Sequence, residues 1–145
     1  MPVFVDTNVL VYARDTSHTT KQGRAADWIA ALWELGEGRV SLQVLQEYYV
    51  TTTRKLKPGL DPEEARADIL DLSAWSPVAP DLQMLAAAWS AEERFGLSFW
   101  DALIVAAAQV ARCDILLTED LQHDMDLEGV RVIDPFHVAP GDRLS

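Results

Sequence analysis

A chain of 145 residues with 49% hydrophobic and 24% charged residues has ordinary globular composition and length for one domain with a sizeable core, so a disordered or fibrous protein is excluded. Its formal net charge of −11 argues against a protein that coats nucleic acid through bulk electrostatics. The single cysteine, Cys113, rules out an intrachain disulfide; with no signal-peptide pattern and no apolar run long enough for a bilayer, a reducing cytoplasm and no membrane are expected.

The chain opens on Val3-Phe4-Val5, a short apolar run that reads as a buried strand, followed directly by Asp6-Thr7-Asn8 and an apolar helical segment. Thr19 or Thr20 can cap a second helix, in which Ala25, Trp28, Ile29, Leu32 and Trp33 recur at helical spacing until Gly36 and Gly38 stop it. Val40-Ser41-Leu42 reads as a short strand, and Gln43 to Leu56 as a helix with Glu47 beside its apolar face. Asp61-Pro62 starts a helix that runs to about Ser73. Trp75 to Val78, broken by Pro77, fits only a short or edge strand. Asp81 opens a helix that ends at Gly96, and Ser98 opens one that is apolar almost all round from Ala102 to Ala111 and is therefore buried. Ile115-Leu116-Leu117 and Val130 to Ile133 complete the strands. Strands alternating with helices predict a three-layer α/β/α sandwich on a central parallel sheet of four or five strands, one domain over residues 1–145.

Four acids stand at or beside element ends: Asp6, Glu47, Asp101 and Asp120. Each has a plain structural use. Asp6 can cap a helix, Glu47 can be a half-exposed helix carboxylate, Asp101 fits a capping box with Ser98, and Thr118-Glu119-Asp120 can be a turn. Were the four to converge, each unit of mutual pKa shift would represent about 1.4 kcal/mol of repulsion. Such a cluster calls for a cation, bound amines or shared protons. Hard oxygen ligands without Cys or His suit Mg²⁺ or Mn²⁺. Arg54, Lys55 and Lys57 form the only dense basic cluster; they are candidate RNA-binding residues, or cations at a helix C-terminus. The histidines at 18, 123 and 137 have no ligand-like spacing, and Cys113 reads as buried and inert.

Taken together, four stretches carry a resemblance: Val5 to Leu10, Ser41 to Tyr49, Leu97 to Ala102 and Leu116 to His123. In that order, along the whole chain, they resemble the PIN-domain ribonucleases and, within them, the VapC-type toxins of toxin–antitoxin pairs. The resemblance implies a metal-dependent endoribonuclease using Mg²⁺ or Mn²⁺, with Asp6, Glu47, Asp101 and Asp120 as its metal-binding, catalytic acids. It makes Asn8 and Thr118 polar supports, Thr7 a weaker one, and Glu119 the ambiguous neighbour of Asp120. It also implies an RNA substrate, a cognate antitoxin with a basic inhibitory segment, and a homodimer through the early helices, with Trp28, Trp33 and the tyrosines as candidates. One departure is Asp124, which stands where similar sequences often carry Gly.

Three other readings use the same architecture. A phosphatase with an aspartyl nucleophile and a receiver-like signalling module both want a lysine near the phosphorylated Asp, and no lysine follows Lys57. The third is a metal-dependent RNA-binding protein without turnover, which only an assay separates from a nuclease.

Overall fold

Val3–Val5 (β1) is buried throughout and lies inside the sheet, with a strand on either side. The computed structural model describes residues 1–144. Along the chain β1 is followed by α1 (Thr7–Tyr12), α2 (Thr19–Leu35), β2 (Gly38–Arg39), α3 (Leu42–Val50), α4 (Pro62–Leu72), α5 (Leu82–Phe95), α6 (Phe99–Val110), β3 (Ile115–Leu117), β4 (Asp126–Leu127) and β5 (Val130–Ile133). The sheet runs β2-β1-β3-β5-β4. β1 pairs in parallel with β2 and β3, and β3 with β5. Helices cover both faces, giving the three-layer α/β/α sandwich.

The short central strands are apolar on both faces because each face is covered, as parallel sheets require. Phe4, Leu116 and Leu117 are fully buried. The Ala-rich α6 lies against β3, β5 and α5, its small side chains permitting close approach, and Val105, Ala106 and Ala108 are fully buried. Asp61, Asp81 and Ser98 stand at the N-caps of α4, α5 and α6 as their sequence pattern predicts.

Five details differ from the sequence reading. β4 is antiparallel to β5, a two-residue hairpin that closes one sheet edge through Glu128 and Gly129, both at positive φ. The cap of α2 is His18, with no side-chain hydrogen bond, in place of Thr19 or Thr20; the His18 ring packs edge-on against Tyr12 with centroids 6.0 Å apart. The second strand is Gly38–Arg39, because Ser41 turns its hydroxyl to the backbone N–H of Val44 (3.2 Å) and caps α3. The helix expected to Leu56 is α-helical only to Val50. Beyond it Thr52 and Thr53 donate to the carbonyls four residues back (2.7 and 2.6 Å), and residues Thr51–Lys55 widen into a π-helical turn. Finally, Ser73–Trp75 is a 3₁₀ turn, and only Val78 bridges, to Ser41. Trp75 lies flat over Gly38, where an added Cβ would come within 2.4 Å of the indole. Only glycine leaves room for that ring.

Candidate active site

Asp6 and Thr118 end neighbouring parallel strands. Each strand's pairing carries on one residue past its end, Asp6 N–H to the Leu117 carbonyl and Thr118 N–H to the Ile133 carbonyl, both 3.0 Å. Their side chains are thereby neighbours although 112 residues separate them in sequence. Asp6 is buried, 6% exposed, and caps α1 by accepting from the Thr7 backbone at 2.7 Å. Its other oxygen accepts from the Thr118 hydroxyl at 2.8 Å.

The Thr118 hydroxyl uses all its hydrogen-bonding capacity here. Besides donating to Asp6, it accepts from Asn8 Nδ2 (3.0 Å) and from the Asp120 backbone N–H (3.1 Å). Asn8 Nδ2 also donates to Asp120 Oδ2 at 3.1 Å, and Asn8 Oδ1 accepts from the Glu119 backbone at 3.4 Å. A single amide and a single hydroxyl thus hold Asp6 and Asp120 in fixed relation. Such closed networks of polar groups orient carboxylates more firmly than isolated bonds do.

The opposite wall comes from two helices. Glu47, exposed on α3, accepts from the Thr7 hydroxyl (3.1 Å) and from Gln43 Nε2 (2.6 Å). Gln43 escaped the sequence reading; its signal is the i,i+4 spacing to Glu47. Asp101 lies in the first turn of α6, its backbone N–H bonded to the Ser98 hydroxyl at 3.2 Å. Among the described residues nothing donates to its carboxylate, so the capping box expected with Ser98 is only half made and the acid group remains available.

The electrostatics tie these acids together. Burial pushes the Asp6 carboxyl up to about 7, against the hydrogen bonds from Thr118 and Thr7, with the charges of Asp120 and Glu47 adding to the rise. Asp120 is raised too, first by partial desolvation and, against the Asn8 hydrogen bond, by the charges of Asp101, Glu119 and Glu47. The largest influences on both groups are burial, neutral hydrogen-bond donors and other acids. Among the described residues no group of three or more His, Cys, Asp or Glu side chains is placed to hold a metal ion. The donor set is nonetheless that of a hard divalent cation: carboxylate oxygens, desolvated, mutually repelling, and supported by neutral donors alone.

Glu119 turns the other way. It forms an ion pair with Lys21 at 2.9 Å, and the ammonium sits 4.7 and 4.9 Å from the ring centroids of Tyr12 and Phe136. Asp120, not Glu119, therefore joins Asp6. Arg54 and Lys55, on the π-helical turn, and Lys57 beyond it are exposed, roughly 10 Å or more along the helix from Glu47 by helical rise. The structure does not gather them with the acids. Asp124 takes the left-handed conformation, φ +63°, that glycine favours. Arg131 donates to its carbonyl at 2.7 Å and Arg143 pairs its carboxylate at 3.0 Å, so the loop keeps its turn and the added charge is neutralised. His123 accepts from the Asp134 backbone through Nδ1 at 3.0 Å, a structural use. Burial drives the Cys113 thiol up to about 12, which leaves it inert.

A mostly parallel α/β/α sheet with carboxylates gathered at the C-terminal ends of its central strands defines the class. The PIN domain family model matches residues 3–125, and the chain belongs to that family, whose domains are generally nucleases. Two solved structures share the fold. A toxin–antitoxin complex from Klebsiella pneumoniae aligns with TM-score 0.64 at 19% identity, over 93% of this chain and 98% of that one. The VapBC2 complex of Rickettsia felis bound to a DNA fragment from its promoter aligns with TM-score 0.59 at 15% identity, over 91% of this chain and 97% of that one. No curated protein matches the sequence.

Proposed function

We propose that the chain is a Mg²⁺- or Mn²⁺-dependent endoribonuclease, the toxin of a type II toxin–antitoxin pair. The observation that carries this reading is the Asp6–Thr118–Asn8–Asp120 network, two carboxylates locked together by neutral groups with the charges of Glu47 and Asp101 acting on them. Membership of a nuclease family supports the reaction class, and the two toxin–antitoxin complexes of the same fold support the biological setting.

Asp6, Asp101 and Asp120, with Glu47, would hold the cation. When bound, the ion supplies a water of lowered pKa and shields charge on the phosphodiester. The chain's own contribution is orientation. Thr118 fixes one oxygen of Asp6, and Asn8 fixes Asp120. Thr7 and Gln43 each hold one oxygen of Glu47, which fixes the direction of that carboxylate at the rim.

The test is cleavage of single-stranded RNA with added Mg²⁺ or Mn²⁺ by wild type, Asp6→Asn and Asp101→Asn. Each near-isosteric change should cost about 100-fold or more, the scale of losing one preorganised electrostatic contact. Full activity in both variants would overturn the assignment.

The inhibitor proposed for this toxin is an antitoxin segment with an apolar helix and an Arg or Lys that reaches the acids, Arg being the better partner for two carboxylate oxygens. A cleft of about 580 Å³ beside α1, α2 and α4, lined by Leu10, Ile29, Trp33 and Leu72, suits the helix. Trp33 is 41% exposed. Trp28 is unavailable to any partner, being fully buried with its indole N–H donating to the carbonyls of Pro135 and Val138. That removes it from the candidate homodimer surface. A purified toxin–antitoxin complex that cleaved RNA at the full rate would contradict the inhibitory contact.

A further inference from the structure

We propose that the cleft between α3 and α6 is a nucleobase subsite, in which Trp100 stacks on one unpaired base beside the cut and Gln43 and Gln46 read its edge. The inference deepens the nuclease reading above and rests on it for the word "cut". The binding surface itself stands on its own geometry.

Trp100 is 65% exposed, a high value for the largest apolar side chain, and immediately precedes Asp101 in the first turn of α6. The ring of Phe99 meets it edge-on, with centroids 5.1 Å apart and planes at 76°, which props the indole in place. A cavity of about 160 Å³ opens beside it, with Leu103, Met84 and Pro80 as apolar wall and Gln43 and Gln46 from α3 as polar edge. An aromatic plate, an apolar wall and a carboxamide edge are the complement of a single planar base, since a carboxamide offers a donor and an acceptor side by side. Gln43 links this cleft to the acids, because its amide also donates to Glu47 at 2.6 Å.

The charge of the chain supplies the reason for such a site. With a net charge of −11 the protein repels a polyanion at long range, so counterion release contributes little to binding. Stacking is indifferent to that repulsion and is the contact through which unpaired bases are held most generally. A base held at Trp100 would place its own phosphate next to Asp101. Gln46, which lines the cleft, then becomes the residue that discriminates between bases.

The experiment compares wild type, Trp100→Leu, Trp100→Phe and Gln46→Ala on two short single-stranded RNAs, one intact and one with an abasic residue beside the cut. With intact RNA, Trp100→Leu should raise KM roughly tenfold and change kcat less than threefold, with Trp100→Phe close to wild type, as loss of one base–aromatic stack predicts. With the abasic RNA the difference between wild type and Trp100→Leu should disappear. Gln46→Ala should alter the preferred base at that position. Equal KM ratios on intact and abasic RNA would overturn the proposal. So would a Trp100→Leu effect confined to sedimentation, which would make the indole a contact between copies of the chain. Binding of uncleavable 2′-O-methyl versions of the same two RNAs gives the same comparison without turnover. A protein that binds intact over abasic RNA through Trp100 but cuts neither would therefore sink the nuclease reading and leave the subsite standing.

Discussion

Asp6 and Asp68 are both drawn into hydrogen-bonded clusters, and their surroundings differ in one respect. Asp68 receives Arg14 through two bonds, 3.0 and 2.5 Å, and the Tyr48 hydroxyl at 2.5 Å. Its charge is matched on the spot by a guanidinium, the fork that suits a carboxylate best. Asp6 receives a backbone N–H, a threonine hydroxyl and, at 3.4 Å, an amide, while the charges that reach it come from other acids. One carboxylate is satisfied within the fold and braces the turn after α1 against α3 and α4. The other is oriented without being neutralised. A protein that buries a carboxylate and withholds a base retains a place for a cation from outside.

The sharpest way to break that contrast is the pH dependence of stability in a chelator. Asp6 has a folded pKa of about 7 against 3.8 for the unfolded chain. The folded state therefore holds the proton more tightly, and Asp6 contributes most below the unfolded value. That contribution falls as pH rises through the interval and is flat above the folded value. Wild type should lose about 3 kcal/mol relative to Asp6→Asn between pH 4 and 7.5 in urea melts. Added Mn²⁺ should restore wild type at pH 7.5, far less at pH 5, and leave Asp6→Asn unmoved, because an ion that binds only the folded state stabilises by mass action. Parallel pH curves for the two proteins would show that Asp6 is as well neutralised as Asp68.

A smaller effect is expected from Thr118→Val, which keeps the shape and removes the hydroxyl. Asp6, Asn8 and the Asp120 backbone each lose a partner. RNA cleavage should fall roughly 10- to 100-fold, as for groups that orient metal ligands. Because the Thr118 hydrogen bond holds the Asp6 carboxyl down, the acid limb of the pH–rate profile should also move upward. A loss of rate with an unmoved profile would make Thr118 a packing residue.

Thr118 also shows what could be read from sequence and what could not. The strand ends at Asp6 and Thr118 were legible, because short apolar runs stopping at polar residues mark buried parallel strands. Their adjacency was permitted by that topology but not specified by it. The resemblance supplied the four acids in order, and only coordinates show Glu119 drawn off by Lys21 while Asp120 stays with Asn8. The interruption of α3 was illegible for a local reason: Thr51, Thr52 and Thr53 continue a helical pattern, and the hydroxyl bonds that widen the turn exist only once it is formed. β4 leaves no trace in the sequence, because two residues carry no period.

The mildest change tests the other half of the comparison. Arg14→Met keeps much of the side chain's apolar length and removes the charge that Asp68 faces. The pair is partly exposed, with Arg14 at 43% and Asp68 at 18%. Solvent therefore screens much of the ion pair, and the Tyr48 hydroxyl still donates to Asp68. Stability should drop by about 1 kcal/mol, the net worth of a charge-assisted hydrogen bond in such a setting. RNA cleavage with Mn²⁺ should stay within twofold of wild type, because no atom of this cluster touches the Asp6–Asp120 network. A drop in rate approaching that of Asp6→Asn, with the fold intact by circular dichroism, would mean that the two carboxylates act on the same reaction. The difference in how their charge is met would then no longer mark which acid is the functional one.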